Sequence, residues 1–320
     1  MRPTQIPSEI TEMAKSLELK RRVVGPNVWL SSEGQPQDCA DLKVHPLTPE
    51  VLPTEEAVGQ AMLRELTDLA ARKKGDIVIA LLGGRGAQAM HTLLGDAARG
   101  NSLDWLLCRL QVFTQDALAP MRMRSTLSFV RDFERLLGAD FFRKVKNFTP
   151  MRTELLDLRT GLEHYVRKLE QAGGLDIFFL GHGPEPNEAS HLAYIKPHSG
   201  ATLNDVAGVI SISPNIVEHH IAKFKAGGSA ITPEDEEECR RATHILTLGP
   251  AAILKARRIV QSVVDADTAP AKRATYRRVM QQRIADGGEA RARQLDENPG
   301  LWVRLHPSVK SLVLPNVLQP

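Results

Sequence analysis

The sequence from Asp76 to Gly100 reads "DIVIALLGGRGAQAMHTLLGDAARG" and joins three kinds of segment in a fixed order. An apolar, β-branched run comes first, a glycine-rich turn follows, and a segment with apolar residues at helical spacing comes last. This order predicts a buried strand that leads through a tight turn into a helix. Such a turn presents free backbone N–H groups at the start of a helix, a position that suits an anion.

The same alternation continues along the chain. Strands are predicted for "RLQVFTQDALAP", "LDIFFLGHG", "VAGVISIS", "THILTLG" and "VKSLVL", and helices for "TEEAVGQAMLRELTDLAARKKG", "LRTGLEHYVRKLEQAGG" and "AAILKARRIVQSVV". Strands that alternate with helices of about 10–15 residues predict an α/β fold, a three-layer, doubly wound, mostly parallel sheet. Ligands of such sheets bind beyond the carboxyl ends of the strands, so the residues after each strand are the candidates for a site.

Cysteine usage and hydropathy predict a cytoplasmic protein. Cys39, Cys108 and Cys239 are far apart, with neither metal-binding nor disulfide spacing, which favours a reducing compartment. No apolar run approaches the roughly 18 residues that span a bilayer. The N-terminal segment lacks the features of a secretory signal. We therefore expect no metal and no membrane partner.

Length and charge set the domain layout and the class of partner. The 320 residues carry a net charge of +3, too small an excess to indicate nucleic acid. The proline-interrupted first part predicts an N-terminal extension at 1–50, before an α/β domain at 51–320. A homo-oligomer is compatible with this layout.

The first glycine turn contains a candidate anion site. Gly83, Gly84, Arg85 and Gly86 combine free N–H groups with a guanidinium that can form charge-assisted bonds. The spacing is neither GxGxxG nor a P-loop, so no nucleotide fingerprint applies. The alternative is a tight connection with an exposed arginine.

Two further strand ends carry charged candidates. Asp116 follows the second strand and is either a general base at the mouth of the sheet or a turn residue. Lys255 lies in "LTLGPAAILKARR", where it either reaches a phosphate or belongs to an exposed basic helix face.

The segment from Gly181 to Tyr194, "GHGPEPNEASHLAY", is unusually polar for the end of a core strand. Gly181 and Gly183 let the backbone bend and approach a ligand. Carboxylates can orient and tune an imidazole, so the segment offers candidates for proton transfer. They are Glu185, Glu188 and His191, with His182 as a further one. The alternative is a solvated loop.

Taken in order, these segments resemble the glucosamine-6-phosphate deaminase / 6-phosphogluconolactonase superfamily over about residues 54 to 317. "LLGGRGAQAMHTLL" resembles its phosphate loop, "DWLLCRLQVFTQDALAPMRMRSTLSF" its block around the catalytic aspartate, and "GGLDIFFLGHG" the strand before its "DGH" loop. "SAITPEDEEECRRATHILTLGPAAILKA" and "VRLHP" resemble later segments. The resemblance implies a deaminase/lactonase-type Rossmann-like fold.

The resemblance also implies roles for individual residues. The first glycine turn and Ser125 would bind the phosphate of a sugar phosphate, and Asp116 would move a proton between C1 and C2. A histidine with neighbouring carboxylates would assist opening of the sugar ring. The substrate's own C1 and C2 groups carry the electron shift, so no cofactor is implied.

Several positions depart from the superfamily pattern. Arg85 replaces the serine or threonine of the phosphate loop, and Lys255 would have to substitute for a lysine expected at Ala252. Without a gap, Glu185 takes the place of the aspartate of "DGH". With a four-residue insertion, which we prefer, His191 matches the histidine, and Glu185 or Glu188 would replace the lost carboxylate.

The sequence thus predicts a sugar-phosphate isomerase or deaminase of carbohydrate metabolism, with Asp116 as proton shuttle and His191 as ring-opening residue. A 6-phosphogluconolactonase-like hydrolase and a non-catalytic sugar-phosphate-binding protein are the alternatives. In each case the predicted partner is a phosphorylated or acidic sugar, without nucleic acid.

Overall fold

The computed structural model describes residues 27–32, 39–184 and 190–319. Its strands are numbered in chain order. They are β1 (Val28–Ser31), β2 (Pro49–Val51), β3 (Ile77–Leu81), β4 (Leu110–Thr114), β5 (Asp116–Ala119), β6 (Asn147–Thr149), β7 (Ile177–Pro184), β8 (Ser190–Leu192), β9 (Asp205–Ser211), β10 (His244–Leu248), β11 (Arg258–Val263) and β12 (Val309–Val313).

The helices of the same ranges are numbered likewise. They are α1 (Glu55–Arg72), α2 (Gln88–Arg99), α3 (Asp104–Leu107), α4 (Phe129–Lys144), α5 (Leu158–Gln171), α6 (Pro214–Ala226), α7 (Pro233–Arg240), α8 (Pro250–Lys255), α9 (Pro270–Gln281), α10 (Gly288–Glu297) and α11 (Pro315–Leu318). Short 3₁₀ segments occupy Cys39–Asp41, Arg85–Ala87 and Pro299–Leu305.

The central sheet is parallel. Its strand order is β2-β12-β11-β7-β3-β4-β6, and β8 pairs antiparallel with β7. Ile77 and Ile79 of β3 pack on one side with α1, α2 and α4, whereas Val78 and Ala80 pack on the other with α5 and Pro299–Leu305. A strand buried on both faces is typical of a parallel sheet covered by helices. The predicted α/β fold with a mostly parallel sheet is confirmed.

A second, antiparallel sheet was not predicted. Its order is β1-β9-β10-β5, and it includes the segments "VAGVISIS" and "THILTLG", which the sequence indicated as strands. The short β5 follows β4 after a single residue, Gln115, and carries the chain from the central sheet to the second one. This change of sheet places Asp116 at the junction of the two.

One predicted helix was wrong in its second half. The segment "AAILKARRIVQSVV" is helical only as far as Lys255, and Arg258–Val263 forms β11 between β7 and β12. Ile259, Val260 and Val263 are β-branched and fully buried, which suits a central parallel strand.

Two segments near the start of the chain form strands that pair with the two sheets. Val28–Ser31 is an edge strand on β9, and Pro49–Val51 is an edge strand on β12. Thr54 then caps α1, because its hydroxyl accepts a hydrogen bond from Ala57 N at 3.1 Å.

Candidate functional site

A cavity of about 70 Å³ opens where β3, β4, β7 and β11 end. We call it the strand-end cavity. Its wall combines the first glycine turn, Asp116, the end of β7 and side chains from α6 and α9. The candidates predicted from three different strand ends therefore meet at one place.

The glycine turn is shaped by close packing. A Cβ atom on Gly83 would lie 2.3 Å from the ring of Phe129, so any side chain there would collide with the start of α4. Gly84 has a φ of +77°, a conformation that favours glycine. Behind the turn, the hydroxyl of Ser262 donates a hydrogen bond to the carbonyl of Gly86 at 2.7 Å. The turn is thereby held against β11.

Arg85 lies on the rim of the strand-end cavity. Its Nη2 lies 2.7 Å from Glu55 Oε1, and its Nε also donates to both carboxylate oxygens of Glu55. This hydrogen-bonded pairing raises the pKa of Arg85, so the guanidinium is charged. Arg85 also lines a larger surface groove of about 510 Å³ between α1, α2, α4 and α6.

Two lysines that the sequence did not single out contribute more charge. Lys272 Nζ lies 2.8 and 2.9 Å from the carboxylate oxygens of Asp265, and Lys223 Nζ lies 3.2 Å from Asp265 Oδ2. Burial would raise the pKa of Asp265, but the charges of Lys272 and Lys223 outweigh it and hold that pKa well below its usual range. All three side chains line the cavity.

Asp116 is 2% exposed, and burial raises the pKa of its carboxyl to about 7. The amide of Gln115 donates to Oδ2 and partly opposes that rise. Oδ1 has no hydrogen-bond partner among the described residues. A carboxyl that exchanges its proton near neutral pH is suited to general acid–base chemistry.

Gln115 joins the two strand ends that carry the predicted acid–base groups. Its side-chain oxygen accepts a hydrogen bond from Gly181 N at 3.4 Å, while its amide holds Asp116. Its backbone N donates to Leu81 O at 2.8 Å. The backbone and the side chain of this one residue therefore fix the ends of β3, β4 and β7 relative to one another.

The polar segment after β7 enters the cavity only in part. Gly181, His182, Gly183 and Tyr194 line the wall. Ala193 and Tyr194 have φ values of 47° and 55°, in the left-handed region, and form a tight turn in which Ile195 N donates to Leu192 O at 2.7 Å. Backbone strain of this kind is often found at functional sites.

His191 lies one layer behind the wall. It is 1% exposed, its ring centroid is 5.3 Å from that of Tyr194, and it is not among the residues that line the cavity. Glu185 and Glu188 lie outside the described residues, so the predicted carboxylate partners of His191 are not located.

Two predicted phosphate-binding residues lie away from the cavity. Ser125 is buried, and its hydroxyl donates to Asp235 Oδ1 at 3.2 Å next to the start of α7. Lys255 is exposed at the end of α8, just before the amino end of β11, whereas the cavity lies at the carboxyl end. The sequence showed that Lys255 follows a glycine turn. It did not show at which end of the sheet helix α8 would place this lysine.

Within residues 27–32, 39–184 and 190–319, no helix is long and apolar enough to cross a membrane. The same ranges contain no cluster of three or more His, Cys, Asp or Glu side chains arranged to hold a metal ion.

Comparison at the level of sequence gives a distant match. No protein-family model matches the sequence. The glucosamine-6-phosphate deaminase of Caenorhabditis elegans is 26% identical over 126 residues, which are 38% of this chain and 41% of that protein. The match thus spans less than half of the curated relative.

Solved structures match over nearly their whole length. A monomeric glucosamine-6-phosphate deaminase has a TM-score of 0.65 at 17% identity, with 85% of this chain and 98% of that chain covered. The 6-phosphogluconolactonase of Trypanosoma brucei has a TM-score of 0.61 at 17% identity, with coverages of 86% and 98%. For the 6-phosphogluconolactonase of Thermotoga maritima the TM-score is 0.57 at 15% identity, with coverages of 83% and 98%.

The chain is thus an α/β protein with a functional-site candidate at the carboxyl edge of a parallel sheet. Its fold is that of the solved glucosamine-6-phosphate deaminase and 6-phosphogluconolactonase structures. The resemblance predicted from the order of the sequence motifs is confirmed at this level.

Proposed function

We propose that this chain binds a phosphorylated sugar in the strand-end cavity and moves a proton between two neighbouring carbon atoms of it. This is the step that aldose–ketose isomerases and amino-sugar deaminases have in common. The observation that carries the proposal is Asp116, a buried carboxyl with a pKa near 7 in the same cavity wall as three basic side chains. A proton shuttle and an anion site are thereby within one small space.

The phosphate would lie between the glycine turn and the two lysines. Arg85, Lys223 and Lys272 supply three positive charges, and Glu55 and Asp265 supply two negative ones, which leaves an excess of one positive charge while Asp116 is protonated. Charge-assisted hydrogen bonds from such groups are stronger than neutral ones. An anionic ligand would therefore be attracted to this end of the cavity.

The chemical step would take place at Asp116. With the sugar in its open-chain form, the ionised carboxylate removes the proton from C2. The C2–H electron pair forms the C1=C2 double bond, the electrons of the C1=O double bond move onto O1, and O1 takes up a proton from water, which gives an enol or enolamine. The O–H or N–H group on C2 then loses its proton to water and becomes C2=O or C2=NH, while the C1=C2 electron pair takes the proton from the carboxylic acid back to C1. For an amino sugar, water subsequently hydrolyses the C2 imine and ammonia leaves. A pKa near 7 suits both the removal of the proton from C2 and its delivery to C1, because the carboxyl group must first accept the proton and then donate it.

Ring opening is the part of the proposal that we assign to His191, as the sequence predicted. Its contact with Tyr194, which lines the cavity, connects it to the ligand space. The carboxylates that would assist it are Glu185 and Glu188, from the segment between β7 and β8.

The test is a set of assays in D₂O with glucosamine 6-phosphate, fructose 6-phosphate and 6-phosphogluconolactone. We expect deuterium at C1 or C2 of a hexose phosphate by NMR, with ammonia released if the substrate is an amino sugar. Lactone hydrolysis without exchange at carbon would instead favour the hydrolase. Binding of a sugar phosphate without either reaction would favour a non-catalytic binding protein.

Arg85 provides a prediction that separates binding from folding. Arg85→Ala should weaken the binding of inorganic phosphate about tenfold, because a charge-assisted hydrogen bond is lost. The free energy of unfolding should change by less than about 1 kcal/mol, because the pair with Glu55 is exposed. Isothermal titration calorimetry and urea unfolding measure the two quantities.

The matched control is Arg99→Ala, which removes another exposed, ion-paired arginine that lines neither the cavity nor the groove. Equal phosphate affinity in wild type and Arg85→Ala would show that the guanidinium takes no part in binding.

A further inference from the structure

His182 is a buried histidine in the wall of the strand-end cavity. Its side chain belongs to the last part of β7, it is 4% exposed, and neither ring nitrogen has a hydrogen-bond partner among the described residues. Buried polar atoms are usually paired, since an unpaired one costs free energy on folding. Apart from a contact with the side chain of Gln261, the described chain therefore provides no hydrogen-bond partner for this ring.

A row of polar side chains continues from His182 across the sheet. Gln261 of β11 donates through its amide to Ser311 of β12 at 2.7 Å, and the hydroxyl of Tyr276 from α9 lies 2.6 Å from the same serine oxygen. Gln261, Tyr276 and Ser311 are at most 1% exposed. Central strands of a parallel sheet are normally apolar on both faces, so this row is a departure that needs a reason.

Gln261 is the link between this row and His182. Its side-chain oxygen makes no well-formed hydrogen bond within the described residues, but it lies close enough to act as an acceptor for the His182 ring, which favours the charged form of that ring. The ring of His182 also stands edge-on to that of Tyr276, with centroids 6.2 Å apart. The row thus packs against the imidazole and restricts its position, and His182 forms part of the cavity wall.

His182 is affected by the charges of Lys272 and Asp265, so it lies at the end of the cavity where we propose that the phosphate binds. Burial and then the nearby charge of Lys272 lower the pKa of His182 to about 4, and Asp265 acts in the opposite direction. The ring is therefore neutral at pH 7, with one nitrogen that donates and one that accepts a hydrogen bond. A hydroxyl group, which can do either, is its natural partner.

We propose that His182 is a specificity-determining residue whose ring hydrogen-bonds a hydroxyl group of the ligand, on a carbon close to the phosphate held by Lys272. The inference rests on the proposed sugar-phosphate site and narrows its ligands to sugar phosphates with a free hydroxyl group on a carbon close to the phosphate. Gln261, Ser311 and Tyr276 act as positioning residues that hold the ring for this contact.

The experiment compares two small phosphates that differ in their hydroxyl groups, sn-glycerol 3-phosphate and propyl phosphate. Their dissociation constants are measured calorimetrically for wild type, His182→Leu and His182→Gln. Wild type should bind glycerol 3-phosphate about tenfold more tightly, the effect of one well-placed hydrogen bond. His182→Leu should bind both phosphates equally, at the affinity that wild type shows for propyl phosphate, and His182→Gln should retain part of the difference.

The matched control is His91→Leu. His91 of α2 is also fully buried with both ring nitrogens unpaired among the described residues, but it packs against Phe133 and does not line the cavity. This variant should bind both phosphates as wild type does. Thermal unfolding of every variant verifies that it is folded. If His182→Leu does not fold, His182→Gln still provides the test.

The outcomes separate the inference from the proposed function. Equal binding of the two phosphates by wild type, or equal weakening of both by His182→Leu, would overturn the role of His182 and leave the phosphate site intact. An ordered water as the sole partner of the ring would give the first of these results. If wild type binds neither phosphate, the phosphate site fails and the inference fails with it.

Discussion

Asp116→Asn is expected to lower the rate of proton exchange at C1 and C2 of the substrate by about 10²- to 10⁴-fold, the range typical of a lost general base. The asparagine amide fits the same space but cannot accept the proton. Phosphate binding should remain, because the cations that hold it come from other elements. Single-turnover NMR in D₂O measures the exchange, and calorimetry with inorganic phosphate measures the binding.

The same substitution should change stability in a pH-dependent way. The folded-state pKa of Asp116 is about 7, above the ordinary 3.8, so the protonated form favours folding. This contribution is fully present below pH 3.8 and is lost as the pH rises through 7. The difference between these pKa values corresponds to about 4 kcal/mol. Asparagine does not ionise, so the variant should become increasingly more stable than wild type between pH 4 and pH 8.

Asp132→Asn is the matched control. Asp132 is also a buried carboxyl whose pKa is raised by burial, but it is paired with Arg135 at 2.6 Å and lies outside the strand-end cavity. Its variant should keep full exchange activity. Unchanged exchange in Asp116→Asn would exclude Asp116 as the proton shuttle, and a pH-independent stability difference would exclude the raised pKa.

The parts of this site that were predictable from sequence are those that depend on neighbouring residues. The glycine turn after β3 and Asp116 after β4 follow apolar strands directly, and strand ends of a parallel sheet share one edge. The β11 strand was misread because its apolar residues continue the pattern of α8. A short apolar run does not distinguish a buried helix from a buried strand.

The lysines were missed for a different reason. Lys223 and Lys272 lie on helices that are separated along the chain and meet only around Asp265. In the sequence each belongs to an ordinary basic helix, and nothing local marks it as half-buried beside a cavity. His182 was visible as a polar residue at a strand end, but its unpaired nitrogens and the row behind it require the packed sheet.

Lys272 is expected to have the second large effect, on both binding and stability. Lys272→Gln should abolish detectable binding of inorganic phosphate at millimolar concentration. It should also lower the free energy of unfolding by about 3 kcal/mol, because it removes one partner of a buried ion pair. Asp265 is only 6% exposed and would be left with Lys223 alone, at 3.2 Å.

A double-mutant cycle with Asp265→Asn separates the two effects. In the double variant Lys272→Gln/Asp265→Asn, stability should recover in large part, because the buried carboxylate that lost its closer partner is also removed, whereas phosphate binding should stay lost. Asp265→Asn alone should bind phosphate more tightly than wild type, since the ligand then replaces the internal carboxylate as counter-ion of both lysines. Urea unfolding and calorimetry give the two free energies for each corner of the cycle.

Lys255→Gln is the control for this cycle, as an exposed lysine at the opposite edge of the sheet that the sequence had suggested for the same role. It should change neither the affinity for phosphate nor the free energy of unfolding.

If Asp265→Asn weakened phosphate binding instead, Asp265 would act by holding the lysines in position rather than by competing with the ligand. Retained binding in Lys272→Gln would move the phosphate towards Arg85 and the glycine turn alone. The direction of the Asp265→Asn effect therefore decides whether the internal carboxylate occupies the anion site or supports it.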